Sequence, residues 1–531
     1  MNNVMPTSYY GMVATPHHTA SMVGASIIRQ GGNAFDAAVA VSAALAVVYP
    51  HMTGLGGDAF FLLYSAKERR IVGLNGTGRS GERATAEHYL SRGMTAIPQR
   101  GIEAVNTVPG MVDAWWQVWQ SYGRLPWERL YEPAIRYAED GVPVSRNLYY
   151  WMVRNDADIR SQASLSAVFT AGGQLLGEGD RLVQPELART LRTIQNEGRD
   201  GFYTGGVMRR MVEAMSADGG LLTETDFLRH RSDWVQPIGT VYRGYELWQM
   251  PPNSQGFSAL MMMNMLENVE LSGIPRDSAE FYHLMVEVTK RAFRDRDRFL
   301  ADPAFQAIPL ERLLSKAYAQ SLYREITEAT GGTQPFQSQA MGQDTAYAAA
   351  VDEEGNAVSF IQSLYFDFGA AYAAGDTGVI MQNRGSFFSL NPNHPNRLEP
   401  GKRCFHTLMP AMACKDGKPL LLYGTQGGEG QPQTQLSVLT GVLDYGCTIQ
   451  EAVSLPRWVY GRTWGEAADE LRLENRGIEP AADALRRLGH KVRTMGSWDG
   501  LMGQSQGIHI DGKGLLSGAA DPRGDGSAVG L

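Results

Sequence analysis

The chain has 531 residues, 43% of them hydrophobic and 20% charged, with a formal net charge of −8. This mixture supports a large buried core and excludes a disordered or fibrous chain. The basic residues are scattered without a Lys/Arg run, so neither a nucleic acid nor an anionic membrane surface is an expected partner. Cys404, Cys414 and Cys447 form no metal-ligand spacing, and three is an awkward number for a disulfide framework. They read as buried or idle thiols of a reducing compartment. The first ten residues lack a basic stretch followed by an apolar one, and the most apolar segment, 37–49, is too short to span a bilayer. The expected location is cytoplasmic.

Along the chain, residues 19–30 carry apolar positions at helical spacing and stop at Gly31-Gly32, a helix C-terminal signal. Asn33 can cap a second helix that runs towards Tyr49 and ends before Pro50. Residues 58–64 read as a buried strand, with another over 71–74. Helical patterns follow at 111–120, 127–139, 185–196, 257–271 and 278–300. The last bears Lys290, Arg291, Arg294, Asp295, Arg296, Asp297 and Arg298, which read as a solvated helix face.

The texture changes after Gly331. Residues 331–344 are rich in Gly, Gln and Ser and read as a loop. Immediately afterwards, 345–351 and 357–364 form two strand-like runs joined by a turn containing Gly355, a β-hairpin signal. Then come a strand at 420–423, a glycine-rich turn at 424–430 and helices near 436–443 and 449–455. Strands near 471–473 and 507–510 close the chain. No internal repeat or low-complexity tract is visible.

A polar loop thus feeds a strand that begins with Thr345. A threonine hydroxyl needs a base, and one solution is the residue's own α-amino group, which titrates near ~8. That base exists only once the Asp344–Thr345 bond is broken. Most threonines at strand starts are simply β-formers, so the signal is weak by itself. The turn Gly424-Thr-Gln-Gly427-Gly428-Glu-Gly430 adds backbone N–H groups suited to an oxyanion. Gly54–Gly57 and Gly73–Arg79 superficially suggest nucleotide loops, but neither completes a fingerprint. No cofactor and no metal are expected.

Several motifs converge on one resemblance. They are Gly31-Gly-Asn-Ala-Phe-Asp-Ala-Ala, Val47-Val-Tyr-Pro-His51 with Gly54-Leu-Gly-Gly57, Asn106-Thr-Val-Pro-Gly-Met111, Asp344-Thr345, Gly355-Asn-Ala-Val358, Pro400-Gly-Lys-Arg403 and Gly427-Gly428. In this order they resemble the γ-glutamyltransferase family over essentially the whole chain. The resemblance implies an α+β fold, an αββα four-layer sandwich of the N-terminal-nucleophile hydrolase type. It implies a precursor that cuts itself between Asp344 and Thr345 into a large subunit, 1–344, and a small one, 345–531, which stay associated as one interleaved unit. Whether two such units pair is left open. By position, Thr345 matches the nucleophile, Ser363 a supporting hydroxyl, and Gly427 and Gly428 the oxyanion pair.

The acyl pocket departs from the family pattern. The arginine that holds a glutamate α-carboxylate falls near Thr77, with Arg79 two residues away. The acid that holds its α-amine corresponds to Phe387, within Gln382-Asn-Arg384-Gly-Ser-Phe387. Tyr365 stands where an asparagine is expected, and His406-Thr407 replace a serine pair. Losing the acid removes the partner of an ammonium, while Arg384 adds a planar cation suited to a carboxylate. Arg384 has an alternative, an internal pair with Asp367 or Glu429. His406 has a structural role as its alternative to substrate contact. The pattern is similar to the branch with oxamate amidohydrolase and glutaryl-type cephalosporin acylases. The leading expectation is hydrolysis of a small carboxylated acyl amide. The competing ones are a γ-glutamyl hydrolase or transferase and a non-catalytic binding relative.

Overall fold

The computed structural model describes residues 5–328, 344–461 and 469–531. Two seven-stranded sheets form its centre. The first runs in the order Ser527–Gly530, Gly11–Thr15, Asp344–Asp352, Ala357–Tyr365, Asp58–Ser65, Arg70–Gly76 and Asp233–Val235. The second runs Thr7–Ser8, Leu516–Ala520, Ser505–Ile510, Lys418–Thr425, Ala411–Lys415, Tyr245–Gln249 and Ile238–Tyr242. Within both sheets every neighbouring pair is antiparallel.

Three apolar layers hold this arrangement. Between the sheets, Phe60, Leu62 and Tyr347 of the first pack with Met412, Leu422 and Ile508 of the second and with Met250, which follows Tyr245–Gln249. Outside the first sheet, Ala59, Phe61 and Leu63 share an apolar layer with helices His18–Arg29, Ala34–Val48, Met111–Tyr122 and Trp127–Asp140. Outside the second lie Gly256–Leu266, Ala279–Phe299, Lys316–Thr327 and Gln431–Leu443. The result is an α+β, αββα four-layer sandwich. It explains why 58–65 shows no polar alternation: both of its faces are covered.

The Ala34–Val48 helix is buried at all 15 positions, and its alanines and valines let it lie flat on the sheet. Its start is closed by a capping box, in which Asn33 accepts from the amides of Phe35 and Asp36 and Asp36 accepts from that of Asn33. The expected hairpin is present as Asp344–Asp352 paired with Ala357–Tyr365. The polar segment before it, 331–343, lies outside the described residues, as does the Asp344 side chain.

Two expectations need correction. The 257–271 pattern stops as an α-helix at Leu266, and a short 3-10 turn, Leu271–Gly273, follows. The charged helix is not a solvated face. In Ala279–Phe299, Arg294 and Arg298 are exposed, but Lys290, Asp295 and Arg296 are buried. The helix is wedged against Gly256–Leu266, Lys316–Thr327 and Glu479–Arg487. Its buried charges survive because they are paired, Lys290 and Arg291 with Glu287 and Arg296 with Glu429. Among the described residues no helix is long and apolar enough to cross a membrane.

Candidate active site

Thr345 sits in the middle of the first sheet and is 1% exposed. The ladder slips at this point. Asp344 opposes Tyr365 and Ala346 opposes Gln362, which leaves Thr345 against two residues, Ser363 and Leu364. Such a bulge re-aims side chains where a sheet ends. The chain leaves it through Tyr365 at φ +86°, in the left-handed region a tyrosine rarely occupies. The Ser363 hydroxyl accepts from the Tyr365 amide at 2.7 Å and pins that turn. Gly56 and Gly57 lie beneath it. A Cβ on Gly57 would come within 2.3 Å of the Ser363 carbonyl, and one on Gly56 within 2.0 Å of that of Ile380. The Gly54–Gly57 run is thus a close backbone crossing rather than a nucleotide loop.

Arg384 opens a 3-10 turn, Arg384–Phe387, tied to the same strand end. The Asn383 amide donates to the Leu364 carbonyl at 3.2 Å, and the Asn383 side chain accepts from the Phe366 amide at 3.0 Å. The Arg384 guanidinium lies 3.8 Å from the centre of the Tyr365 ring. It is 1% exposed, and among the described residues none of its three nitrogens has a hydrogen-bond partner. Both internal partners weighed above are engaged elsewhere, Asp367 by Arg100 at 3.3 Å and Glu429 by Arg296 at 2.7 Å. Phe387 stands between Tyr365 and Phe405, at 6.1 and 5.0 Å between ring centres.

A carboxylate absent from the residue-by-residue expectations, Asp58, sits beside Arg384. Its Oδ1 accepts from the amides of Gly78 and Gly110 and from Gln382 Nε2, at 2.9, 3.1 and 3.0 Å. Its Oδ2 is 3.3 Å from His406 Nε2. Burial pushes the Asp58 carboxyl up to about 6, against the pull of these donors and of Arg384. Burial, together with the Arg384 charge, holds His406 well below its ordinary range, so the imidazole is neutral. Its Nδ1 is buried and unpartnered among the described residues. The sequence signal for Asp58 was available: it is the acid that opens an otherwise apolar strand.

The remaining expected positions divide. Thr77 is buried, donates to Asn75 Oδ1 at 2.6 Å and accepts from Asn253 Nδ2 at 3.3 Å. The Asn253 carbonyl in turn accepts from the His406 amide. The Thr407 carbonyl accepts from Gln255 Nε2 at 2.8 Å. Arg79 is not brought to this cluster. Its guanidinium pairs with Asp233 at 2.9 Å, an acid it shares with Arg403.

The turn after Lys418–Thr425 carries Gly427 at φ +123° and Gly428 at φ +51°, conformations that glycine adopts without strain. Among the described residues neither amide N–H has an acceptor, while the carbonyls around them are held. The Thr425 hydroxyl donates to the Gln426 carbonyl, the Gly430 amide to that of Gly427, and Gln255 Nε2 to that of Gly428. A cavity of about 880 Å³, with Tyr150, Trp151, Trp498 and Gln504 in its wall, is not lined by Thr345, Arg384 or the 427–430 turn. The Gln504 carbonyl accepts from the Gln426 amide at 3.0 Å. One group of metal-ligating side chains, His283, Glu287 and His490, occurs among the described residues, away from these elements. Its carboxylate is already flanked by Lys290 and Arg291.

Residues 20–531 match the family described as Gamma-glutamyltranspeptidase. The chain is 52% identical to the glutathione hydrolase-like YwrD proenzyme of Bacillus subtilis, over 98% of either chain. It is 39% identical to the oxamate amidohydrolase proenzyme of Klebsiella pneumoniae, over 98% of this chain and 99% of that one. The solved structure of a cephalosporin acylase from Bacillus halodurans superposes with a TM-score of 0.91 at 35% identity, covering 100% of this chain and 97% of the other.

Proposed function

Because the chain belongs to the gamma-glutamyltranspeptidase family, whose members act on C–N amide bonds, we propose that it is a self-processing amidohydrolase with Thr345 as nucleophile. Its substrate is the amide of a small acyl group that bears a carboxylate and no α-amine. The observation that carries the substrate class is Arg384, a buried cation with no hydrogen-bond partner among the described residues. An unpaired charge in such a place is costly unless a ligand's charge completes it. The acid beside it, Asp58, has both oxygens engaged and is not free to hold a substrate ammonium.

In the proposed reaction, cleavage before Thr345 turns its nitrogen from an amide into an amine. The amine takes the hydroxyl proton as Oγ attacks the acyl carbonyl. The Gly427 and Gly428 amides stabilise the oxyanion. The C–N bond then breaks, the departing amine receives the proton, and an ester to Thr345 is left. Water, deprotonated by the same amine, attacks that ester and releases the acid. Arg384, backed by the Tyr365 ring, fixes the far carboxylate, while Thr77, His406 and Thr407 line the polar side of the pocket.

A second reading, γ-glutamyl hydrolysis, is favoured by the name of the B. subtilis relative. Glutaryl p-nitroanilide and γ-L-glutamyl p-nitroanilide separate the two, because they differ only in the α-ammonium group. The carboxyacyl reading expects the glutaryl compound to have the higher kcat/KM by about 10²-fold, the scale of one buried charge left unpaired. It also expects Arg384→Met to lose that activity while the thermal midpoint of the substrate-free protein holds or rises. A preference for the γ-glutamyl compound would replace this reading with the second.

A further inference from the structure

The Gly427–Gly430 turn belongs to the part of the chain after Thr345, yet much of what holds it comes from the part before. Arg296, on the Ala279–Phe299 helix, is fully buried. Its Nη2 donates to Glu429 Oε1 at 2.7 Å, and Glu429 directly follows Gly428. Its Nη1 donates to Gln255 Oε1 at 3.1 Å. The other end of the same amide, Gln255 Nε2, donates to the carbonyls of Gly428 at 3.0 Å and Thr407 at 2.8 Å. Arg296 is itself fixed by Asp297 at 2.8 Å and by the Phe293 ring, whose centre is 3.8 Å from the guanidinium carbon.

We propose that Arg296 is a positioning residue for catalysis, setting the orientation of the Gly427 and Gly428 amides through Glu429 and Gln255. This rests on the oxyanion role given to those amides above. One planar fork reaches the turn by two routes, directly through the Glu429 side chain and, through Gln255, to the Gly428 carbonyl. Lysine cannot reproduce both grips, because its ammonium is a single point charge. A peptide plane that tilts at this turn moves an N–H away from the oxyanion, and such misplacement is worth about 10²-fold in rate.

The test uses the full chain and glutaryl p-nitroanilide. Arg296→Met removes the fork, and Arg296→Met/Glu429→Met removes both members of the buried pair. The expected result is that kcat falls about 10²-fold in both variants, with KM within about threefold of the parent. The double variant is expected to recover the parent's melting temperature but not its kcat. Crystal structures of the two variants should show the 427–430 turn displaced. Parental kcat in the double variant would make the pair a stability element only and overturn the proposal. So would a turn that keeps φ near its present values at Gly427 and Gly428. Thr345→Ala separates this from the underlying reading. If that variant still turns over, or if the parent hydrolyses none of the anilide, the reading of the site fails, while the crystal structures still decide what Arg296 holds.

Discussion

At the scale of single residues, Arg384 and Asp58 support each other's charge until a ligand arrives. Arg384 has no hydrogen-bond partner among the described residues, and its charge is one of the influences that pull the Asp58 carboxyl down. A substrate carboxylate on Arg384 would cancel that influence and place a second anion beside Asp58, so the complex favours protonated Asp58. The groups facing Asp58 do not titrate in this range, since they are Arg384, the neutral His406, the Gln382 amide and two backbone amides. The sign follows. KM for a carboxyacyl amide is expected to be lowest below pH 6 and to rise as pH passes through about 6. Asp58→Asn is expected to give a KM flat between about pH 5 and 7. A parental profile in the variant would remove Asp58 from this role.

At the scale of elements, the long periodic and capped segments were legible and the charged ones were misleading. The Ala34–Val48 helix announced itself by Asn33 and by its unbroken run of small apolar residues. The capping box should be worth about 1–2 kcal/mol, so Asn33→Ala is expected to lower the unfolding free energy by that amount. Urea titration measures this, and kcat should stay unchanged because the cap lies at the outer layer. The Ala279–Phe299 helix was located to within a residue at either end, but its burial was inverted. Charge runs on a helix usually face water, and nothing in the local pattern says that Arg296 meets Glu429 from 133 residues away. The strands Asp233–Val235, Ile238–Tyr242 and Tyr245–Gln249 were missed for a related reason. They are short and mostly half-buried, two of them at sheet edges and Tyr245–Gln249 next to one, so they lack the apolar run that revealed 58–65. Of the site, the Thr345 hairpin and the Gly427–Gly428 turn could be read from spacing together with resemblance. The isolation of Arg384 could not, because it depends on Arg100 and Arg296 having taken the two acids.

At the scale of the whole molecule, the segments on either side of the Asp344–Thr345 bond cannot be drawn as two domains. The first sheet takes Gly11–Thr15, Asp58–Ser65, Arg70–Gly76 and Asp233–Val235 from before that bond. It takes Asp344–Asp352, Ala357–Tyr365 and Ser527–Gly530 from the strand that contains the bond and from beyond it. Ladder hydrogen bonds and the apolar layers cross the boundary in both sheets, so salt should not part the two pieces after cleavage. They are expected to co-elute in gel filtration at 1 M NaCl, an ionic strength at which the Debye length is about 3 Å, and to separate only in denaturant. Elution of two independent species at high salt would contradict this interleaving. The central claim is that Thr345 becomes the N-terminus and the nucleophile together, and its most direct test is N-terminal sequencing of the smaller fragment from purified protein, alongside Thr345→Ala. The smaller fragment is expected to begin at Thr345, and the variant to remain a single uncut, inactive chain. A parent chain that stays intact while it turns over substrate, or a fragment that begins elsewhere, would contradict it.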